Sequence, residues 1–173
     1  MPRLPLVTAP TPANQSAFDY LMKTRGSVRG GFAAMLASPE ITQRIAHVGS
    51  YVRFDSPVDK LIREVAATVA SAELENPAEY VVHAGHLRDL GVKDSIIQAI
   101  LERTAVTGAS EDETIAINLA RELTRNHKLS DATFQAAKKR LGDSGVVDLI
   151  TTVGYYAMLA VAHVALEIAP PQK

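Results

Sequence analysis

The chain of 173 residues contains no cysteine. That absence excludes disulfides, thiolate zinc sites and cysteine-based redox chemistry, and it leaves thiol usage silent about compartment. No basic block stands out and the net charge is −1, which argues against an electrostatic nucleic-acid binder. A Gly-x-Ser-x-Gly elbow, a phosphate loop and a dinucleotide fingerprint are all missing. The glycine-rich Gly26-Ser27-Val28-Arg29-Gly30-Gly31 lacks the Lys-Ser/Thr ending of a phosphate loop and reads as a flexible turn. Fixed-period repeats, low-complexity linkers and compositional breaks are also missing, so one domain is expected over 1–173, with 1–10 as an extended arm. That arm opens Met1-Pro2-Arg3-Leu4-Pro5 and lacks the apolar core of a signal peptide. Only 146–169 is strongly apolar, and Asp148, His163 and Glu167 interrupt it. It reads as a buried core helix rather than a membrane span, and the protein as soluble and cytoplasmic.

What the chain does have is helix punctuation. Hydrophobic residues make up 47% and charged residues 21%, an ordinary globular balance able to fill a sizeable core. Thr11-Pro12, Ser38-Pro39, Ser56-Pro57 and Asn76-Pro77 each set a capping side chain before a proline suited to the first helical position. Ser110 to Glu113 forms a capping box, Ser130 caps a later helix, and Gly91 and Gly142 sit where helices stop. These marks predict helices near 12–24, 32–37, 39–54, 57–74, 77–90, 94–104, 111–126, 131–141 and 145–168. No period-two run of useful length appears, so no strand is assigned and the fold class is all-α.

The candidate chemistry lies in Arg63-Glu64 and in Asn76-Pro77-Ala78-Glu79-Tyr80-Val81-Val82-His83-Ala84-Gly85-His86. On a helix, Glu79, His83 and His86 fall at i, i+4 and i+7, within about 60° of arc. A carboxylate beside an imidazole can orient the ring and raise its pKa, the usual equipment of acid–base chemistry near neutral pH. Three ordinary readings compete. Asn76, Pro77 and Glu79 match a capping box with asparagine in place of serine. The two histidines can be solvated or hydrogen-bonded neutral residues. The same face, completed by Glu64, can also hold a metal, although Glu-x3-His-x2-His is not a standard signature. In helix 57–74 the apolar stripe is Val58, Leu61, Ile62, Val65 and Val69, which leaves Glu64 on a flank facing solvent, another helix or a subunit. His47 and His127 receive structural readings, His127 at a helix C-terminus. His163 reads as a local pair with Glu167, and Tyr155 and Tyr156 as core residues.

Glu64-x11-Asn76-x2-Glu79-x3-His83 resembles the Glu-x11-Cys-x2-Cys-x3-His pattern of the carboxymuconolactone decarboxylase and alkylhydroperoxidase-D-like superfamily. Spacing is identical and both cysteines are replaced. Ser38-Pro39-Glu40 and Gly154-Tyr155 extend the resemblance over about residues 14–168. A thiol peroxidase is excluded, because Asn76 and Glu79 supply no thiol. The resemblance implies a helical bundle of the alkylhydroperoxidase-D-like type, a homo-oligomer (dimer, trimer or hexamer) and a small-molecule substrate. It points to a cysteine-free lyase of the decarboxylase kind, or an isomerase, acting on a carboxylated lactone of aromatic-acid catabolism. Glu64, Glu79 and His83 would be catalytic, with Asn76, His86 and Tyr80 around the substrate. Neither a metal nor an organic cofactor is required. A non-catalytic ligand-binding protein of the same fold and a metal enzyme using Glu79, His83 and His86 stand as alternatives. Arg29, Arg53, Arg63 and Arg88 are the candidates for holding a substrate carboxylate.

Overall fold

The computed structural model describes residues 1–170. The chain runs through α1 (Gln15–Arg25), α2 (Gly30–Met35), α3 (Pro39–Ser50), α4 (Lys60–Glu73), α5 (Pro77–Asp89), α6 (Asp94–Leu101), α7 (Glu111–Arg121) and α8 (Asp131–Ala165). Wider π-type turns prolong α3 over Tyr51–Asp55 and α7 over Glu122–Asn126, which accounts for the longer helices expected there. No strand occurs among the described residues.

α4 is the axis of the molecule, packed by α5, α7 and α8. Every residue from Glu64 to Ala72 is buried, because alanine, serine and threonine let neighbouring helices close in on all sides. Ile62, Val65 and Val69 form its apolar spine, each contributing about 1.5–3 kcal/mol by burial. A stripe-based wheel therefore says little about α4: Glu64 is buried and faces α5 instead of solvent or a subunit.

Three of the expected helix marks hold. Ser110 accepts from the Glu113 N–H while the Glu113 carboxylate accepts from the Ser110 N–H, completing the capping box. Gly91 ends α5 at φ +82°, and Gly142 breaks α8 at φ +70°, ψ 177°, so two helical halves meet there. α4 ends in a Schellman motif in which Asn76 N–H reaches the Ser71 carbonyl at 2.8 Å and Glu75 takes the left-handed conformation. Asn76 thus closes α4 and opens α5 in one step, tying the two site-bearing helices together.

Two starts differ. α1 begins after Asn14, whose Oδ1 accepts from the Thr11 N–H at 2.7 Å, rather than at Thr11-Pro12. α4 begins after Asp59, which caps the Leu61 N–H at 2.7 Å, rather than at Ser56-Pro57. Ser56 is drawn away by the buried Asp148 of α8, to which its hydroxyl donates at 2.7 Å. The Tyr51 hydroxyl donates to the same carboxylate at 3.1 Å. Asp148 is a tie from α8 to the segment before α4.

Candidate active site

Glu64, on the buried axis, is met from α5 by two imidazoles at once. His83 Nδ1 lies 2.6 Å and His86 Nδ1 3.1 Å from the same oxygen, Glu64 Oε2. The other side of His83 faces Glu79: Nε2 lies 3.5 Å from Glu79 Oε2. Glu79 then reaches α8, its Oε1 3.7 Å from His163 Nδ1. His163 Nδ1 also sits 3.3 Å from Asn76 Oδ1. The result is an alternating chain, His86–Glu64–His83–Glu79–His163, drawn from three helices. Tyr156 of α8 places its ring edge-to-face with His83, centroids 4.6 Å apart, and fixes the imidazole plane.

Burial and charge act against each other in this chain. Burial by itself would push the Glu64 carboxyl up, but the hydrogen bond and charge of His83, with those of His86, hold it down at about 2. Glu79 behaves alike: burial opposes ionisation, while His83, His163 and Arg53 outweigh it and lower its pKa. His83 is 2% exposed, and burial favours its neutral form, yet hydrogen bonds to Glu64 and Glu79 raise its pKa. His163 has its pKa lowered by burial, which Glu79 offsets only in part. The pattern is an imidazole whose charged form is favoured between two carboxylates, with a second imidazole beyond whose neutral form is favoured.

The capping box read at Asn76 and Glu79 does not form. Asn76 stands at the N-cap with Pro77 after it, but its side chain makes no cap hydrogen bond. Its Oδ1 turns to His163, and among the described residues its buried Nδ2 has no partner. An orphaned buried amide costs about 1–3 kcal/mol, a deficit placed here beside the histidine cluster. The carboxylate of Glu79 faces His83 and His163 instead of the helix end.

The structure brings together Glu64, Glu79, His83, His86 and Asn76. It does not bring Tyr80, whose buried hydroxyl donates to the Ile97 carbonyl at 3.1 Å and ties α5 to α6. His163 was missed. Its local pairing with Glu167 is not found, because α8 stops at Ala165 and Glu167 turns away in the left-handed conformation to pair with Arg3 at 2.9 Å. The signal for it was available: His163 is the one ionisable side chain between Asp148 and Glu167 apart from two tyrosines. Space for it is left by Gly31 on α2, where a Cβ would lie 1.8 Å from His163 Nε2. Of the remaining histidines, His47 stacks on Tyr20 and His127 ends the π-type turn after α7.

The arginine candidates separate. Arg88 pairs with Asp94 at 2.8 Å, Arg63 donates to the Val52 carbonyl at 2.8 Å, and Arg29 is exposed ahead of α2. Arg53, its guanidinium carbon 5.0 Å from the centre of the Phe54 ring, has no carboxylate partner among the described residues and still bears on Glu79 and Tyr156. The cluster reaches solvent through the side chains of His86, 33% exposed, and Glu79, 22% exposed. Two surface clefts, of about 340 and 370 Å³, lie elsewhere and include none of these residues. As a metal site the convergent set is Glu64, His83 and His86, whose ligand atoms lie within 4.8 Å of one another. Glu79 does not belong to it, since it faces the opposite nitrogen of His83.

No protein-family model and no curated protein sequence matches the chain. Solved structures do. A peroxidase-related protein from Silicibacter sp. TM1040 superposes with TM-score 0.76 at 19% identity, over 98% of this chain and 92% of that one. An Agrobacterium tumefaciens protein of unknown function, described as an antioxidant-defence AhpD, gives TM-score 0.72 at 16% identity, over 84% and 100%. The debrominase Bmp8, in a cysteine-to-alanine variant holding 2,3,4-tribromopyrrole, gives 0.75 at 12% identity, over 99% and 94%. The chain therefore has the all-helical AhpD-like fold. It is a cysteine-free version of that fold, with glutamates and histidines packed at the centre of its helices.

Proposed function

We propose that this protein is a cofactor-independent acid–base enzyme, a decarboxylase-like lyase or an isomerase acting on a small carboxylated lactone or related cyclic metabolite. The observation that carries this reading is His83, buried and held between two carboxylates supplied by different helices. Glu64 orients the ring and stabilises its charge. Glu79, the more exposed of the two carboxylates, exchanges protons with the substrate and is recharged from His83. Arg53 holds a substrate carboxylate, and His86 borders the same opening.

In the lyase reaction the bond from ring carbon to carboxylate breaks and CO2 leaves. Its electron pair enters the unsaturated lactone as a dienolate, and a proton from the Glu79–His83 pair closes the cycle at carbon. Isomerisation uses the same two groups to remove a proton at one carbon and return it at another. A thiol route is not open to a chain without cysteine.

The test is CO2 release from a carboxylated muconolactone by wild type and by His83→Gln, with circular dichroism to show that the variant is folded. Turnover in wild type and its loss in the folded variant supports the reading. Absence of turnover in both, with lactones still binding, favours a ligand-binding protein of this fold. The rival metal reading draws on the convergence of Glu64, His83 and His86. Elemental analysis of untagged protein decides it: close to one transition-metal ion per chain replaces the proton-relay reading, and less than about a tenth removes the metal.

A further inference from the structure

The two tyrosines of α8 differ from the other three in the chain. The hydroxyls of Tyr20, Tyr51 and Tyr80 donate to Ser50 at 3.0 Å, to Asp148 at 3.1 Å and to the Ile97 carbonyl at 3.1 Å. The Tyr155 phenol lies against Arg25: a Cβ on Gly49 would be 2.1 Å from its oxygen and 2.9 Å from Arg25 Nη2. The Tyr156 hydroxyl makes no hydrogen bond among the described residues, although Tyr156 is only 3% exposed. Nor is it sealed off. Among the described residues, the fully buried side-chain atoms without a partner are Arg25 Nε, Arg63 Nε, Ser71 Oγ and Asn76 Nδ2, and the Tyr156 oxygen is not one of them. The little surface that Tyr156 keeps therefore includes its hydroxyl.

Packing does not account for this oxygen. Phenylalanine would set the same ring edge-to-face on His83 and would leave nothing polar without a partner. The surroundings suggest a use. His83 lies between Glu64 and Glu79, so the phenol stands beside the pair to which proton transfer is assigned above. Of the charges that act on it, those of Arg53 and Glu79 are the strongest. Burial raises its pKa well above the ordinary 10, so it stays a neutral O–H donor.

We infer that Tyr156 is a further catalytic residue, whose hydroxyl donates a hydrogen bond to the lactone carbonyl oxygen as negative charge gathers there. The inference rests on the reaction proposed above, and it narrows the substrates to those whose breaking bond, to CO2 or to a proton, is conjugated with a carbonyl. As that bond breaks, its electron pair moves through the conjugated system onto the carbonyl oxygen. The phenol keeps its own proton and supplies only the hydrogen bond, which strengthens as the oxygen becomes an anion. Delivery of a proton to carbon from the Glu79–His83 pair draws the electrons back and the bond relaxes. Glu64 and Glu79 bring two carboxylates to the same site and oppose a developing anion, which a neutral donor offsets.

The probe is tetronic acid, a lactone that is already an ionised enol at neutral pH and so mimics the enolate, set against its neutral relative 2(5H)-furanone. Calorimetric titration of wild type and Tyr156→Phe measures both affinities, and urea denaturation measures the stability of the variant. Wild type should bind tetronate more tightly than the furanone. Tyr156→Phe should lose about 10- to 100-fold of its affinity for tetronate, the usual worth of a hydrogen bond to a charged group, and less than about threefold for the furanone. Its urea midpoint should not fall, since the hydroxyl ties no other element of the fold. On a lactone that wild type turns over, kcat should fall by about 10²–10³ with KM nearly unchanged. Tetronate bound no better than the furanone by wild type overturns the inference, as does a Tyr156→Phe variant that keeps the tetronate affinity. A lowered midpoint with equal losses for both lactones makes the hydroxyl structural and overturns it as well. If wild type releases no CO2 while Tyr156 still selects tetronate, the lyase reading falls and the donor role stands.

Discussion

His163 fills the space that a side chain on Gly31 would need: a Cβ at that position would lie 1.8 Å from Nε2 and 2.4 Å from Cδ2 of the imidazole. Gly31 sits in α2 without a positive φ, so backbone freedom is not what requires glycine there. Gly49 stands in the same relation to Tyr155, with a Cβ 2.1 Å from the phenol oxygen. Two glycines on neighbouring helices thus leave room for two polar side chains of α8.

Gly31→Ala sets two effects against each other. Alanine in a helix normally gains about 0.5–1 kcal/mol over glycine. Overpacking a closed site costs about 1–3 kcal/mol, and here the clash is with a ring that cannot retreat into the core. The clash wins. Urea denaturation should show a loss of about 1–2 kcal/mol, and the carbon-bound imidazole protons of His163 should shift in the NMR spectrum as the ring leaves Glu79. A gain in stability, with the His163 resonances unmoved, would contradict this packing.

Acid stability follows from Glu64. Its folded pKa, about 2, lies below the ordinary 4.5, so between those values the unfolded chain binds more protons than the folded one. The stabilisation is fully present above pH 4.5 and disappears as pH falls toward 2; it is of order 3 kcal/mol, shared with His83 and counted once. His83 has the opposite sign: its raised pKa stabilises the fold below 6.5 and that contribution fades as pH rises through the folded value. The ion pair therefore contributes most between about pH 4.5 and 6.5. In urea melts across pH, Glu64→Gln should lose about 3 kcal/mol in that window and little near pH 2. An equal loss at every pH would mean that packing, not charge, is what Glu64 supplies.

Much of the fold was legible because helix ends are local events. Asn76-Pro77, Ser110 with Glu113, Gly91 and Gly142 each act within a few residues, and each marks a boundary in the structure. Ser56-Pro57 misled because the buried carboxylate of Asp148, some ninety residues away, takes up the Ser56 hydroxyl. The site was legible in part. Glu79, His83 and His86 lie on one helix, where a wheel can relate them, and the spacing from Glu64 carried the family resemblance. Burial of Glu64 was hidden because α4 is packed all round. His163 stood out in the sequence as an ionisable residue in an apolar stretch, but only the fold shows that it meets Glu79 of α5 rather than Glu167 of its own helix end.

Glu79→Gln separates catalysis from binding. The amide keeps the size and accepts a hydrogen bond but cannot exchange a proton with substrate. On the lactone that wild type turns over, kcat should fall by about 10²–10⁴ while KM changes by less than about threefold. The wild-type rate should hold level from below the ordinary carboxylate pKa of 4.5 to above the ordinary imidazole value of 6.5, since Glu79 is shifted down and His83 up. Glu64→Gln should bring the alkaline limb to lower pH by removing the larger support of the His83 charge. Equal effects of Glu79→Gln on kcat and on ligand affinity would reduce Glu79 to a binding group.

Arg53, which has no carboxylate partner among the described residues, bears on Glu79, and its replacement should act on both substrate and proton. Arg53→Gln removes a partner for the substrate carboxylate, and losing a charged hydrogen bond of about 1.5–3 kcal/mol should raise KM roughly tenfold to a hundredfold. It also removes a positive charge that helps keep Glu79 ionised, so the acid limb of the rate profile should move to higher pH. Arg53→Lys restores the charge without the planar fork, and should recover the position of the acid limb better than it recovers KM. Measuring both variants across pH on carboxylated and uncarboxylated lactones tests each half. If the inhibition constant of an uncarboxylated lactone rises as much as KM for the carboxylated one, Arg53 does not read the carboxylate. If the acid limb stays in place in Arg53→Gln, the charge on Glu79 is set by His83 and His163 alone.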